Sequence, residues 1–294
     1  LGLAFAGSDG LTSVCFEIES VCVPGSLRFL VFEDLATVGF FSDLERKFVL
    51  FCFVATLLSI LLCAGISMLW KDRAIRGEFI QASYRSSAAL LGIAFIQNIY
   101  GSAGMGPLMI IGSVPLYNMM AVVVLSVFRP GQQGLDKTVV KRTMTGIVTN
   151  PIILGIVAGL LWSALGLPLS GIPGKTIRNI ASMATPLGLM AMGASFDIQK
   201  AVQKGRPAIV ASVMKLVGFC VIFLPVAIAF GFREEELVAI LVMLGSATTV
   251  SCYVMARNMG HEGVLTSSTV MLTTLFSAFT LTGWLFLLRS AGLI

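Results

Sequence analysis

The sequence predicts an all-α polytopic membrane protein, and three observations support this prediction. Apolar residues make up 56% of the 294 residues, whereas charged residues make up only 12%. The mean hydropathy is +0.93, and soluble domains carry about 25% charged residues, so most of this chain must face lipid or other apolar helices. The apolar runs are about 20 residues long and do not alternate, which fits transmembrane helices and excludes the strands of a membrane β-barrel.

Seven long apolar runs predict membrane-spanning helices. A shorter run, 88–96, predicts a half-span or broken helix that reaches toward Gly101. A weak segment, 14–38, contains five charged side chains, which are costly in hydrocarbon, and is therefore a doubtful span. The seven long runs cover residues 48–70, 105–128, 146–167, 177–196, 207–232, 237–256 and 264–288.

Basic residues in the loops predict the orientation, because cytoplasmic loops carry an excess of Lys and Arg. One set of alternating loops holds twelve basic residues, and the opposite set holds six together with the C-terminus. We therefore expect the first set to be cytoplasmic and the C-terminus to be non-cytoplasmic. The first set is Lys71, Arg73, Arg76, Arg85, Arg129, Lys137, Lys141, Arg142, Lys200, Lys204, Arg206 and Arg257, and the second is Arg46, Lys47, Lys175, Arg178, Arg233 and Arg289.

A faint internal repeat relates the two halves of the chain. Pro24 and Pro186 lie 162 residues apart, Met105 and Val264 lie 159 apart, and the segment around Gly92 corresponds to 246–249. An odd number of crossings separates these positions, so the halves would be inverted, as in transporters with broken helices. Because the chain begins at Leu1, we expect its true N-terminus to be missing. The predicted domains are 1–128, a first inverted repeat that is incomplete at its N-terminus, 129–145, a cytoplasmic linker, and 146–294, a second inverted repeat.

Polar residues within the apolar runs are the candidate substrate site, because a transported solute must exchange its water shell for protein partners. Ser87 on one side and Gln97 and Asn98 on the other bracket the helix around Gly92. If that helix breaks, the freed N–H groups of a half-helix would face an anion. The alternative for Ser87 is close packing of a small residue against a neighbouring helix.

Two further clusters contain amides next to a proline. Pro115 interrupts the run 105–128, and Tyr117 and Asn118 follow it as donors for a carboxylate, unless Asn118 only satisfies the loosened backbone. Asn150 and Pro151 read as a polar turn with proline in the first helical turn. A contact with the solute is the alternative for Asn150.

The last candidates lie in the runs 207–232 and 237–256. Lys215 is the lone charged residue in its run. Such a residue either marks a transport pathway or a counter-ion, or its long side chain extends to the membrane interface. Hydroxyls crowd the other run and either bind the solute or bond back to the i−4 carbonyl. These hydroxyl residues are Ser246, Thr248, Thr249 and Ser251.

The sequence predicts no metal site, cofactor or enzyme active site. The chain has one histidine, His261, and its six cysteines form no CxxC pair, so we interpret them as small apolar residues. The net charge of +5 is spread thinly between apolar runs, which argues against a nucleic-acid partner. An intramembrane enzyme would need a nucleophile with a base or a zinc site, and a channel would need a charge ring or carbonyl filter. A channel or a sensory membrane protein stays the nearer alternative.

The polar clusters, taken in order, are similar to helices of the auxin efflux carrier family of membrane transporters, particularly its bacterial members. Lys215 falls where that family often carries a lysine. The family's crossover prolines are replaced here by Ala94 and Ala247, and its helix-four asparagine by Ser87. Segment 84–101 resembles the fourth helix of the family, 150–159 the start of the sixth, 184–195 the seventh, 246–256 the ninth and 267–284 the tenth.

This resemblance implies ten helices in two inverted five-helix repeats of the bile-acid-symporter type, with helices four and nine crossing at the substrate site and the first helix largely missing here. It implies secondary transport of a small organic anion, such as malonate, malate or an indole acid, across a bacterial inner membrane, with Asn118 as a carboxylate contact. Coupling to Na⁺ or H⁺, or uncoupled transport, stays open. The expected partners are the anion and the lipid bilayer, and a homodimer is compatible with the sequence.

Overall fold

The computed structural model describes residues 29, 43–88, 92–101, 104–130, 151–165, 171–194, 199 and 204–294, which form helices and short connections without a strand. The all-α prediction is confirmed for these residues. Nearly all of the predicted linker 129–145 and of the weak segment 14–38 lies outside them. The division into inverted repeats at 1–128 and 146–294 therefore stays a prediction.

The helices are numbered in chain order. They are α1 (Asp43–Ser67), α2 (Arg73–Tyr84), α3 (Ile93–Tyr100), α4 (Gly106–Val127), α5 (Pro151–Ala164), α6 (Gly171–Ser182), α7 (Ala184–Ala194), α8 (Gly205–Val213), α9 (Phe219–Ala229), α10 (Glu234–Gly245), α11 (Ser251–Asn258) and α12 (Val264–Ser290). A π-helical turn, Met214–Gly218, joins α8 to α9 so that the two continue as one long helix.

Four described helical segments are long and apolar enough to cross a membrane. They confirm the predicted runs 48–70, 105–128, 207–232 and 264–288, because the bilayer requires about 20 consecutive apolar residues. Their bounds are Arg46–Ser67, Gly106–Val127, Gly205–Ala229 and Val264–Ser290. Within the predicted run 146–167, the structure describes the 14-residue helix α5.

The prediction of one uninterrupted helix over 177–196 is wrong. Two helices cover this region, α6 and α7, and a turn at Met183 separates them. Pro186 supplies the reason, because it has no N–H to donate to the Ser182 carbonyl and its ring crowds that carbonyl. The last residue of α6 is Ser182. Hydropathy alone does not register such a break.

Two other helices are interrupted, one just before the predicted run 88–96 and one within the predicted run 237–256. Helix α2 ends at Tyr84, non-helical backbone follows at 85–87, and α3 begins at Ile93 and ends at Tyr100. Helix α10 ends before Ser246, which is extended with φ −76° and ψ 163°, and α11 begins at Ser251. The predicted interruption at 246–249 is confirmed, whereas the first described interruption lies at 85–87, before the predicted run 88–96.

The predicted break point at Gly92 is wrong. Gly92 has helical dihedrals, φ −61° and ψ −54°, and the break precedes it. A Cβ at Gly92 would lie 2.8 Å from Met109 Cε and 3.6 Å from Val242 Cγ1. The absence of a side chain at Gly92 therefore serves close packing of helices rather than the interruption.

Helix α10 lies at the centre of the core. Every residue from Leu237 to Gly245 is buried, and these side chains share one apolar cluster with residues of α1, α4, α9 and α12. A helix that is apolar on all sides is buried by other helices. The interruption after Gly245 is consequently surrounded by protein.

Gly112→Ala is expected to destabilise the packing of α1 against α4. A Cβ at Gly112 would lie 2.7 Å from Cys52 Cβ and 2.8 Å from the Val49 carbonyl oxygen, and backbone cannot move as easily as a flexible side chain. We expect the free energy of unfolding to fall by about 1–3 kcal/mol, measured as a lower melting temperature in detergent. Gly65→Ala in α1 is the matched control, because nothing lies within 4 Å of its added Cβ, and an equal effect of both substitutions would contradict the prediction.

Candidate functional site

The two interrupted helices contact each other through their non-helical segments, residues 85–87 and 246–250, which we call the crossover. The Ser87 amide donates a hydrogen bond to the Ala247 carbonyl oxygen at 3.0 Å, and the hydroxyls of Ser86 and Ser246 share a short hydrogen bond. The main chains of the two interruptions are therefore directly joined.

Side chains from each interrupted helix also satisfy the main chain of the other. Thr248 Oγ1 donates to the Ala82 carbonyl at 2.9 Å, and the Ser86 hydroxyl donates to the Val242 carbonyl at 3.3 Å. The Val242 carbonyl also accepts from the Ser246 amide at 3.1 Å. The last carbonyls of a helix have no intrahelical donor, so Thr248 compensates part of the cost of ending α2 inside the protein. Hydroxyl residues at Ser86 and Thr248 thus stabilise the crossover.

Arg85 is the charged group of the crossover. Its side chain is only 4% exposed, and its Nη2 donates to Asn118 Oδ1 at 2.7 Å and to Ser251 Oγ at 3.1 Å. Nη1 contacts Met255 Sδ, and the buried Nε has no hydrogen-bond partner among the described residues. Within the part of the chain that the structure describes, no carboxylate pairs with this guanidinium.

Lys215 provides a second buried positive charge next to the crossover. It lies in the π-helical turn, is 1% exposed, and does not extend to an interface. Its Nζ donates to the carbonyl oxygens of Tyr84 and Met243, both at 3.3 Å. Both partners of the ammonium are therefore main-chain dipoles.

The one buried carboxylate among the described residues is Glu78, and its oxygens are already occupied. Oε1 accepts from the Gly263 amide at 3.0 Å, and Oε2 accepts from the amide and hydroxyl of Thr266, both at 3.1 Å. A carboxylate at the N-terminus of a helix complements its dipole. Glu78 therefore caps α12. Among the described residues, Arg85 and Lys215 leave an excess of buried positive charge.

The structure brings several predicted site residues to the crossover. Asn118 binds Arg85, as given above, and the hydroxyls of Thr249 and Ser251 lie 3.2 Å apart. The Tyr117 hydroxyl donates to the Met243 carbonyl at 3.4 Å. The predicted residues that lie at or beside the crossover are Ser87, Tyr117, Asn118, Lys215, Ser246, Thr248, Thr249 and Ser251.

Other predicted site residues lie elsewhere. Gln97 and Asn98 are exposed in the second half of α3, and their side chains form no hydrogen bond with another described residue. Gly92 lies against Met109, where an added Cβ would be 2.8 Å from Met109 Cε. Asn150 lies outside the described residues.

A comparison with protein-family models supplies the assignment. The family model described as "Membrane transport protein", that of the auxin efflux carriers, matches residues 45–285, which include both interrupted helices. The chain belongs to the auxin efflux carrier family. A search of curated proteins finds no match to this sequence. The family consists of membrane transporters rather than enzymes, so this carrier is an integral membrane transport protein.

This auxin efflux carrier family member forms the crossover without the prolines that the resemblance led us to expect. Ala247 stands at one of those positions, yet the preceding Ser246 is extended. Proline would enforce such a backbone in the residue before it. Here the hydroxyl-to-carbonyl hydrogen bonds of the crossover stabilise the same interruption.

Sequence reasoning missed Arg85, which was assigned to a cytoplasmic loop of the carrier. The structure corrects this assignment, because the side chain is buried and bound to Asn118 and Ser251. Its position directly before Ser86, at the start of the polar break, was a signal in the sequence. The loop-charge rule counts every arginine between two apolar runs as a loop residue and cannot distinguish one that is buried.

Proposed function

We propose that this carrier is a secondary transporter that binds a small organic anion by its carboxylate at the crossover. The observation that carries the proposal is the buried guanidinium of Arg85, which has an unpartnered Nε and no carboxylate partner among the described residues. A buried charge without a counter-ion is costly. An anionic substrate would supply that counter-ion during each transport cycle.

The chemistry of the neighbouring groups supports a carboxylate as the substrate group. The planar guanidinium matches a carboxylate with two parallel hydrogen bonds. Asn118 and Ser251 hold Nη2 in a defined orientation, and the amide of Asn118 can donate to the same anion. Helix α11 begins at Ser251, so the positive end of its dipole faces this position.

The proposed mechanism is alternating access. One bundle would rock against the other around the crossover and expose the bound anion first to one side of the membrane and then to the other. Malonate, malate-type dicarboxylates and indole acids are the proposed substrate classes. We further propose a bacterial inner membrane location with a non-cytoplasmic C-terminus, following the loop charges.

A screen of mono- and dicarboxylates for thermal stabilisation tests this proposal, because a ligand of the folded state raises the melting temperature by mass action. Asn118→Ala is expected to remove the rise that the best carboxylate causes in the wild type, while the variant still folds. Asn179→Ala is the matched control, since Asn179 is exposed on α6, and it should retain the full rise. An unchanged rise in Asn118→Ala would exclude Asn118 from the binding site.

Flux through liposomes separates the carrier from the channel alternative. A carrier must bind and release each anion, so its flux should saturate as the substrate concentration rises. A channel would show flux that grows in proportion to concentration and carries a continuous current. Saturation at concentrations near those that stabilise the protein would connect the flux to the crossover.

A further inference from the structure

The two half-helices that lead into the crossover end close together. Helix α2 ends at Tyr84 and α10 ends at Gly245. Each helix C-terminus carries the equivalent of about half a negative charge on its last carbonyls. Two such ends therefore sum to about one negative charge, in a part of the protein where water does not neutralise it.

Hydroxyl groups bind one carbonyl at each of these ends, and an ammonium binds one further carbonyl at each. The Ala82 carbonyl accepts from Thr248, and the Val242 carbonyl accepts from Ser86. The carbonyls of Tyr84 and Met243, one from each half-helix, both accept from Lys215 Nζ at 3.3 Å. Lys215 thus joins the negative ends of both interrupted helices with one unit of positive charge.

The surroundings of Nζ are those of a cation site. Carbonyl oxygens at the C-terminal ends of half-helices are ligands that coordinate Na⁺ in transporters with broken helices. Nζ is fully enclosed at 1% exposure of its residue, and its hydrogen bonds go to main-chain oxygens rather than to a carboxylate. The ammonium occupies the position that a small monovalent cation would need in order to bind both carbonyls.

We propose that Lys215 is a covalently attached replacement for a coupling cation, and that the crossover is therefore complete without Na⁺. The consequence for transport rests on the proposed function, since it concerns how the anion is moved. The consequence for stability does not depend on the proposed function. Lys215 would act as a positioning residue that holds the two half-helices together, and the bound anion would be contacted by Arg85.

The test compares melting temperatures in sodium chloride and in choline chloride at equal ionic strength, without any organic anion. The wild type is expected to melt at the same temperature in both salts. Lys215→Ala leaves space beside the two carbonyls, so it should melt lower in choline and regain several degrees in sodium. Lys215→Met fills that space without charge, so it should melt lower in both salts.

Each outcome of the salt comparison either supports or overturns the proposal for Lys215. A sodium-specific rise in the wild type, or a folded Lys215→Ala with equal melting temperatures in both salts, would overturn the proposal. If Lys215→Ala does not fold in choline, recovery of folded protein in sodium supports it. Lys215→Asn, whose amide adds an oxygen ligand, repeats the test. If neither Lys215→Ala nor Lys215→Asn folds in sodium or in choline, the result counts against the proposal.

Failure of this proposal and failure of the proposed function are distinguishable. The salt comparison contains no carboxylate, so it reports on the cation site alone. Carboxylate stabilisation of the wild type reports on the anion site alone. Uptake of the best carboxylate by wild-type proteoliposomes depends on both sites, and it should proceed at equal rates with sodium or choline outside. A sodium requirement would overturn the attached-cation role of Lys215 while leaving anion binding intact.

Discussion

Arg85→Gln is expected to abolish anion transport while leaving the carrier folded. The substitution removes the buried positive charge and its donors next to Asn118 and Ser251. Hydrogen bonds to a charged group contribute about 1.5–3 kcal/mol each. Losing the two proposed bonds from the guanidinium to the substrate carboxylate should therefore weaken carboxylate binding on the order of 100-fold or more. The measurements are uptake by proteoliposomes and the carboxylate-dependent rise in melting temperature, and both should be lost together.

Two variants make the Arg85 test specific. Arg85→Lys keeps the charge but not the planar fork, so it should bind the anion more weakly than the wild type and more tightly than Arg85→Gln. Arg289→Gln removes an arginine that is exposed near the end of α12 and should transport normally. Normal uptake by folded Arg85→Gln would show that the crossover guanidinium is not the substrate ligand.

Glu78→Ala is expected to have the largest effect on stability. The carboxylate accepts three hydrogen bonds at the start of α12, and its removal leaves buried donors without an acceptor and a helix N-terminus without its compensating charge. Each unsatisfied buried donor costs about 1–3 kcal/mol, so we expect the free energy of unfolding to fall by about 3 kcal/mol or more. Glu78→Gln retains an acceptor oxygen and should lose about half as much.

The matched control is Glu262→Gln. Glu262 pairs with Lys204 at 2.6 Å, but its side chain is 62% exposed, and exposed ion pairs contribute about 0–1 kcal/mol. Melting temperatures in detergent should therefore separate the two glutamates clearly. If Glu78→Ala has the same melting temperature as Glu262→Gln and the wild type, the Glu78 carboxylate does not hold α12 in place.

Hydropathy predicted the long helices because a bilayer imposes one requirement, a sufficient length of apolar residues. It therefore located Gly106–Val127 and Val264–Ser290 closely. It failed at 177–196, where one proline outweighs an apolar composition. It also misplaced the first interruption at Gly92, because a glycine permits a break but equally permits close packing, and only the neighbours Met109 and Val242 distinguish the two.

The candidate site was partly predictable for the same kind of reason. Hydroxyls and amides in an apolar run are expensive unless they have partners, so Asn118, Ser246 and Thr248 were visible from the sequence alone. Arg85 was not, because a charge beside an apolar run has two solutions, a solvated loop or a buried partner. Its partners come from α4 and α11, which are distant in sequence.

The sequence by itself determined that this protein is a bundle of membrane helices with polar interruptions, since composition and run length decide which segments can lie in lipid. Tertiary structure alone decided which polar groups meet. Contacts such as Lys215 with Tyr84 and Met243 join segments far apart along the chain, and their energies depend on distance and burial rather than on local pattern. The physical reason is that a residue's cost in lipid is local, whereas the partner that offsets this cost is not.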